Sequence, residues 1–400
     1  MQIKRALPLA LAGAVLAQNQ NVSVVPLATA LASQSELTNL LAILGTQPTF
    51  LAQLSLTQNV TFLAPNNAAM DAFLNGPNAT PANHQRRRRG RAAELSHRTV
   101  LVNTALNLAP YSNITGGQRV LMNRTDGNAT ITSGRMDMAR IVTSNVNFIG
   151  GTIHIINRVL TVPLNDTRTM MDMNLTATVG AMRRASVANR IDTRRDVTMF
   201  VPSNEAFNRI GSLESSLSTE QLASIMNYHV VDGQLPLYSA QLRNQSVNTL
   251  NGAQLTFTNN SGVMFVNGAR IVQPNVLTNN GVMYVIDNVL NPESTSARPA
   301  ASATTGSPAF ADATNGPSGV PFTSGIAGPE PTQGPGNGNG NGGGNGSGNP
   351  GSGNGGNNGG NNGGNPSGGA RSAASPSSSV GTAAAAVAAL LGAAALFASW

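Results

Sequence analysis

Two passages of this chain recur. Residues 61–74, TFLAPNNAAMDAFL, return as TMFVPSNEAFNRI at 198–210, and GGTIHIINRVLTVP at 150–163 returns as NGVMYVIDNVLNP at 280–292. The first pair lies 137 residues apart and the second 130. Two landmarks in the same order at nearly the same spacing require a duplicated domain. A repeat of this length matches one independent core and far exceeds the roughly 20–50 residues of a solenoid unit. The 400-residue chain is therefore expected to hold two domains in line, repeat one over 21–164 and repeat two over 165–293.

The net charge of +7 invites a nucleic-acid reading. Lys4 and Arg5 lie in the leading segment, and Arg86, Arg87, Arg88, Arg89 and Arg91 form one run with no acid among them; these seven account for the whole surplus. One basic spot on a balanced chain is not a nucleic-acid-binding face. The chain has no cysteine, which excludes disulfides and thiolate metal sites. Stability must then come from full-sized cores, which repeats of this length can supply.

Both ends read as addresses. Lys4-Arg5 precede an apolar run over 6–16, and Val15 and Ala17 satisfy the small-residue rule for cleavage, so 1–17 is expected to be a signal peptide with a mature start near Gln18. At the other end, 383–400 is weakly apolar and no basic cluster follows it. A polar spacer, SPSSSVGT, and the small residues Ser372-Ala373-Ala374 precede it. That order is the signal for a glycosylphosphatidylinositol (GPI) anchor over 372–400, with Ser372 as attachment residue and Gly368 or Gly369 as alternatives. A plain transmembrane tail is the competing reading, and an alanine-rich composition suits it poorly. Between the repeats and this signal, 294–371 is rich in Gly, Asn, Ser and Pro and is expected to stay a flexible coil. Such a spacer reaches roughly 50 Å and would lift the domains off a membrane or into a wall.

Asn-x-Ser/Thr acceptors fall at Asn21, Asn59, Asn78, Asn113, Asn123, Asn128, Asn165, Asn174, Asn244, Asn259 and Asn345. Behind a signal peptide their density points to a glycosylated surface. Asn59 is the weakest candidate, because it abuts an expected buried strand.

Within each repeat, the apolar runs 61–64 and 198–201 are stopped by Pro65 and Pro202, which cannot donate to a ladder. Asn66 or Ser203 then caps a helix. Met70, Phe73 and Leu74 in one repeat, and Phe207 and Ile210 in the other, have the spacing of a buried helix face. Ser218 and Gln221 form a capping box before a helix with the stripe Leu222, Ile225 and Met226. Strands are expected over 254–258, 262–266, 269–272 and 281–290, with Asn-Gly turns at Asn251-Gly252 and Asn267-Gly268. Helices first and strands later predict an α+β fold with a largely antiparallel sheet.

These landmarks resemble the fasciclin domain. TFLAPNNAAMDAF and TMFVPSNEAF are similar to the family's first signature box, and GTIHIINRVLTVP and GVMYVIDNVLNP to its second. The resemblance covers both repeats and implies tandem domains, each a β-wedge or sandwich packed with several helices. It implies adhesion or the organisation of matrix or cell wall, without catalysis. A signal peptide and a GPI tail accompany the family in fungi and plants. The family's Tyr-His pair matches Tyr228-His229. In repeat one the comparable stretch is taken to be VNTALNLAPYS, with Thr104-Ala105 in place of the pair. Animal members engage integrins through an Asp-Ile dipeptide; the matching positions here are Asn145-Val146 and Asn275-Val276. A neutral amide cannot replace a carboxylate on a metal, so integrin-type recognition is not expected.

Tyr228 and His229 have two readings: an exposed binding contact, or an internal corner with the imidazole hydrogen-bonded to backbone. His84, His97 and His154 show no ligand spacing, and His154 aligns with Tyr284 on a strand. No nucleophile elbow, phosphate loop or dinucleotide fingerprint occurs, and Asp71, Asp126, Asp137 and Asp172 form no glycosidase-like pair. No enzyme, metal or cofactor is expected. The arginine run reads first as a solvated loop, second as a dibasic processing site at Arg88 and Arg89, third as a patch for anionic polymers. The expected partners are wall or matrix polysaccharides and glycoproteins, a further copy of the chain, and a membrane through the lipid. The alternative is a carbohydrate- or lipid-binding module, which needs exposed aromatics in a groove; aromatic content is 4%.

Overall fold

The computed structural model describes residues 24–75, 99–109, 111–125, 128–300, 302–316 and 319–326, and the backbone of 395–397. Repeat one opens with helices α1 (Leu27–Ala32), α2 (Thr38–Gly45) and α3 (Pro48–Leu56), then strand β1 (Val60–Pro65) and helix α4 (Asn67–Leu74). Strands β2 (Thr99–Asn103), β3 (Arg119–Thr125), β4 (Asn128–Thr132), β5 (Met138–Phe148) and β6 (Gly151–Ile156) follow. Repeat two runs through α5 (Asp166–Asp172), α6 (Thr176–Arg184), α7 (Ala188–Asp192), β7 (Val197–Pro202), α8 (Asn204–Asn208) and α9 (Thr219–Tyr228). It closes with β8 (Val230–Val231), β9 (Ser246–Asn248), β10 (Gln254–Asn260), β11 (Val263–Val266), β12 (Ala269–Thr278) and β13 (Gly281–Ile286).

The sheets share one order, β1-β6-β5-β4-β3-β2 and β7-β13-β12-β11-β10-β9. Among the described strands only the pairs β1/β6 and β7/β13 are parallel, so each sheet is largely antiparallel and the whole is α+β. The two sequence landmarks are thus neighbours in space: the strand before the proline lies against the closing strand. Three of these strands, β1, β7 and β13, are buried on both faces, as their continuous apolar runs require, while β6 is half-buried at Gly151, Thr152 and His154. Gly151 and Gly281 open β6 and β13 because a Cβ there would run into the carbonyl of Val60 or Val197.

The register repeats as well. Ile141 faces Ile156 and Val146 faces Ile153, as Ile271 faces Ile286 and Val276 faces Met283. Both ladders break between these pairs in a bulge. Asn145 and Asn275 lie in the bulges at φ 64° and 55°, a left-handed conformation that asparagine tolerates better than most residues.

Caps form where the sequence sets them. Asn66 Oδ1 accepts from Ala69 N–H, and Ser203 Oγ from Ala206 N–H. The Ser218–Gln221 box closes in both directions. The strand expected over 281–290 ends at Ile286, because the chain turns at Asp287 to bring Leu290 under α9. The α4 stripe is only partly buried: Met70 is enclosed, but Phe73 is 41% and Leu74 51% exposed. In the last turn Asp71 accepts from Asn39 Nδ2 of α2, and the apolar pair Phe73 and Leu74 stays open. In repeat two, Phe207 and Ile210 are buried.

Each sheet has two apolar faces. The helix side gathers Phe62, Ile153 and Ile155 with Leu31, Leu40 and Leu44 in repeat one, and Met199, Met283 and Val285 with Val179, Met182 and Met226 in repeat two. The opposite side holds Leu63, Val120 and Ile131 in one case and Phe200, Phe257 and Tyr284 in the other.

The segment 294–371, expected to be a coil throughout, is not one in its described part. Phe322 is buried against α6 and α8, its ring 5.6 Å from that of Phe207, and its N–H donates to Glu214 Oε1. Gly180 makes room, since a Cβ there would meet the Phe322 carbonyl. Backbone bonds tie Ser212 to Thr314, Gly316 to Asn208 and Ser307 to Gly268. A low-complexity composition concealed a strap held by one aromatic anchor and backbone pairing. Beside β1, at the edge that β8 takes beside β7, lies β14 (Ala395–Phe397).

Candidate interaction site

Tyr228 closes α9 and His229 is its C-cap. His229 is fully buried, with Nδ1 2.8 Å from Ile225 O and Nε2 accepting from Leu290 N–H at 3.0 Å. This pairing selects the neutral tautomer with the proton on Nδ1. Burial pushes its pKa down to about 4, against the smaller opposing effect of the Ile225 carbonyl. Tyr228 Oη donates to Gln254 O and accepts from Asn267 Nδ2, each at 2.8 Å. Both rings are enclosed, so neither offers a contact to a partner. Their geometry is that of an internal clasp joining α9, β10 and the segment after β13.

Thr104-Ala105 is not the counterpart of this pair. Strand β2 occupies the sheet position of β9, so Val102-Asn103-Thr104 overlie Val247-Asn248-Thr249. Thr104 bonds the carbonyl of Gln118 through both N–H and hydroxyl, as Thr249 bonds Ala253. The segment between α4 and β2, where a clasp would stand, falls outside the described residues.

The integrin-related positions differ in exposure. Asn275 is buried, its Oδ1 accepting from Ser239 N–H and Tyr284 Oη, whereas Asn145 is exposed and its N–H donates to His154 Nδ1. Burial lowers the pKa of His154. Neither asparagine supplies an anionic ligand. Among the described residues no cluster of three His, Cys, Asp or Glu could hold a metal ion, and no helix is long and apolar enough to cross a membrane.

The junction between repeats is a site that sequence reading missed. The loop from Thr104 to Gln118 leaves repeat one and docks on repeat two. Gln118 is buried and donates from Nε2 to Thr278 O at 2.9 Å. The Arg119 guanidinium lies 5.3 Å from the centre of the Tyr238 ring. Burial pushes Tyr238 up to about 12 despite the attraction of Arg119. Asn113 N–H donates to Asn279 O, and Thr115 donates to Asp196 from N–H and hydroxyl. On the other flank Arg135 pairs with Asp172 at 3.1 Å and Met136 packs on the core of repeat two. Only the unusual length of this loop relative to the short turn at 249–253 signals the junction in the sequence.

The acceptor asparagines sort by environment. Asn59, Asn174, Asn244 and Asn259 are exposed; Asn59 abuts the buried strand β1 and sits in the turn before it, at φ 58°. Asn165 caps α5 and donates to Asp192. Asn123 lies half-buried on β3, with a buried Oδ1 that finds no partner; Asn128 opens β4. Asn21, Asn78, Asn345, His84, His97, Arg88, Arg89, Gly368, Gly369 and Ser372 lie outside the described residues, as does 1–17.

The family model "Fasciclin domain" matches the chain twice, at 35–163 and 173–292. A fasciclin-like arabinogalactan protein of Arthroderma benhamiae is 38% identical over 226 residues, 56% of this chain and 53% of that protein. Another from Cercospora beticola is 29% identical over 260 residues, 60% of this chain and 70% of its own length. The chain thus spans about half to two thirds of these relatives. A domain pair from the insect cell adhesion molecule Fasciclin I aligns with 64% of this chain and 97% of its own at 17% identity and a TM-score of 0.33, too slight a global likeness to add to the family match.

Proposed function

The chain belongs to the fasciclin family, and on that premise we propose that it is a non-catalytic protein of a cell surface or wall, acting in adhesion or wall organisation. The observation that carries the reading is two family domains docked through a built junction, so that one chain presents two recognition units in fixed relation. The GPI signal ending at the tail would place many copies in one plane, where modest affinities add by avidity. Cleavage at Ser372 would also remove Ala395–Phe397 from the edge of β1. Partners in this reading are wall or matrix polysaccharides and glycoproteins, or a second copy of the chain.

A carbohydrate- or lipid-binding groove is the second reading. It needs several exposed aromatics in a groove, yet Tyr228, Tyr238 and Tyr284 are buried, Tyr111 is half-buried, and Phe73 is the one exposed aromatic side chain among the described residues. Beads coated with the protein test the choice. Self-aggregation, or capture of the beads by wall fragments, is the expected result. Dispersed beads that instead bind soluble oligosaccharides would favour the groove. Release of the protein from intact cells by phosphatidylinositol-specific phospholipase C checks the anchor; detergent-extracted protein that still carries Trp400 would overturn it.

A further inference from the structure

Asn113-Ile114-Thr115 is at once a glycan acceptor motif and the core of the inter-repeat contact. Asn113 Nδ2, the atom that would carry a sugar, donates to Thr193 O at 3.2 Å and to Arg194 O at 3.0 Å. The Thr115 hydroxyl donates to Asp196 Oδ2 at 2.6 Å and accepts from Arg195 Nε at 2.9 Å. The exposed acceptors contrast with this. Asn244 and Asn259 use only their Oδ1 atoms, accepting from Asn259 and Gly262 N–H, so their nitrogens face solvent.

We propose that glycosylation of Asn113 and docking of the two repeats are mutually exclusive, so that this one acceptor decides between a rigid pair and two tethered domains. In oligosaccharide transfer from a lipid-diphosphate donor, Nδ2 forms a bond to the anomeric carbon and gives up one proton. The lipid diphosphate leaves with the electron pair of the broken carbon–oxygen bond. The product amide keeps one N–H where the docked state uses two. The sugar ring would also lie where the carbonyls of Thr193 and Arg194 now stand. A glycan at Asn113 therefore removes a donor and wedges the contact apart, while sugars on Asn174, Asn244 or Asn259 leave it intact. This inference is independent of what the paired domains bind.

The absence of cysteine from the chain makes the test direct. Asn113→Cys and Asn244→Cys are prepared in a host that does not glycosylate and treated with a maleimide-linked N-acetylglucosamine. Asn113→Cys loses both Nδ2 bonds but keeps the backbone bond to Asn279 and the Thr115–Asp196 and Gln118–Thr278 contacts, so the native protein is expected to react at least about tenfold more slowly than Asn244→Cys, because reaction requires opening of the junction. Labelled when unfolded and then refolded, Asn113→Cys should show a larger radius of gyration by X-ray scattering with unchanged circular dichroism. Equal native reaction rates, or unchanged scattering after labelling, would overturn the proposal. Should the labelled variant fail to refold, the wild-type chain from a glycosylating host decides. Deglycosylation of its compact fraction in oxygen-18 water is expected to mark Asn244 and Asn259 and leave position 113 unmarked. Label at 113 in that fraction sinks the idea.

Discussion

The two repeats share a backbone but not a method of filling it. Inside the curl of the second sheet, Phe200 stacks on Tyr284 at 5.4 Å and meets Phe257 at 5.5 Å. By register the same three positions in repeat one are Leu63, His154 and Met122. Repeat two adds Tyr228 and Tyr238 to this face, whereas the described residues of repeat one contribute no Phe, Tyr or Trp to it. The long loop of repeat two, 232–245 before β9, turns inward and seats Tyr238 under its own sheet; the long loop of repeat one stands elsewhere, between β2 and β3 where repeat two has only the turn at 249–253, and it reaches outward and grips its neighbour. Repeat two spends its long loop on its own core, and repeat one spends the length it adds between β2 and β3 on the junction.

The sharpest way to break this contrast is to empty the aromatic position. Phe200→Ala should cost repeat two about 4 kcal/mol, and Leu63→Ala should cost repeat one nearer 3 kcal/mol. Urea unfolding followed by hydrogen exchange assigns each loss to its repeat. A Phe200→Ala loss below that of Leu63→Ala would mean that the aromatic face is not what distinguishes the two. Next in size is the clasp. His229→Phe keeps the volume but leaves Ile225 O and Leu290 N–H unmade in the interior, a cost of about 2–3 kcal/mol confined to repeat two.

The second contrast is polar. Asp166 is fully buried at the start of α5, held by Asn280 Nδ2 at 2.8 Å. Its place in repeat one is taken by Leu27 and that of Asn280 by Gly150, since Ala30 bonds Pro26 as Thr169 bonds Asn165, and Val60 bonds Gly150 as Val197 bonds Asn280. Burial raises Asp166 to about 7, with the Asn280 bond opposing and nearby Asp192 adding to the rise. A folded-state pKa above the unfolded value means that stability is lost as pH climbs from about 4 to 7. His229 runs the other way: its folded pKa of about 4 lies below the unfolded value, so stability is lost as pH falls from about 6.5 to 4. The two slopes oppose each other over that window, and wild-type repeat two should be nearly indifferent to pH within it. Asp166→Asn should uncover the histidine slope, with on the order of 3 kcal/mol lost towards pH 4. His229→Phe should uncover the aspartate slope, making repeat two more stable at pH 4.5 than at pH 7.5. Thermal melts across this range check both signs; a flat profile in either variant would show that the group does not titrate with folding.

How far the sequence foretold this depends on the range of the interaction. Pro65 and Pro202, the Asn66 and Ser203 caps and the Ser218–Gln221 box act within a few residues, and each stands where local chemistry puts it. The sheet order was not legible: the duplication says that both copies share one order, but the parallel pairing of the two landmark strands is a long-range contact that the structure alone supplies. The match of Thr104-Ala105 to the Tyr-His pair failed because motif order was read without sheet position; the shorter repetition VNT at 102–104 and 247–249 carried the true register. The junction escaped because its partners, Asn113 and Arg194 among them, are 81 residues apart and polar, with no periodicity to expose them. Phe322 escaped because one aromatic in a Gly- and Pro-rich stretch carries no pattern.

The smallest effect concerns the helix that follows each first strand. Phe73 and Ile210 hold the same place in the two copies, yet Phe73 is 41% exposed and Ile210 is 6% exposed. The difference lies in the strap: Gly316 packs on Gly211, and Thr314 pairs with Ser212, immediately beyond Ile210. Burial, not helical spacing, sets the worth of an apolar side chain. Ile210→Ser should therefore cost about 2–3 kcal/mol, while Phe73→Ser should stay within about 0.5 kcal/mol. Deleting the segment from 302 onward makes the pair of variants decisive. It should bring Ile210→Ser down towards the small cost of Phe73→Ser, because the strap is what turns a half-covered helix end into part of a core. An Ile210→Ser penalty that survives the deletion undiminished would place the burial in the helices themselves and leave the strap an adornment.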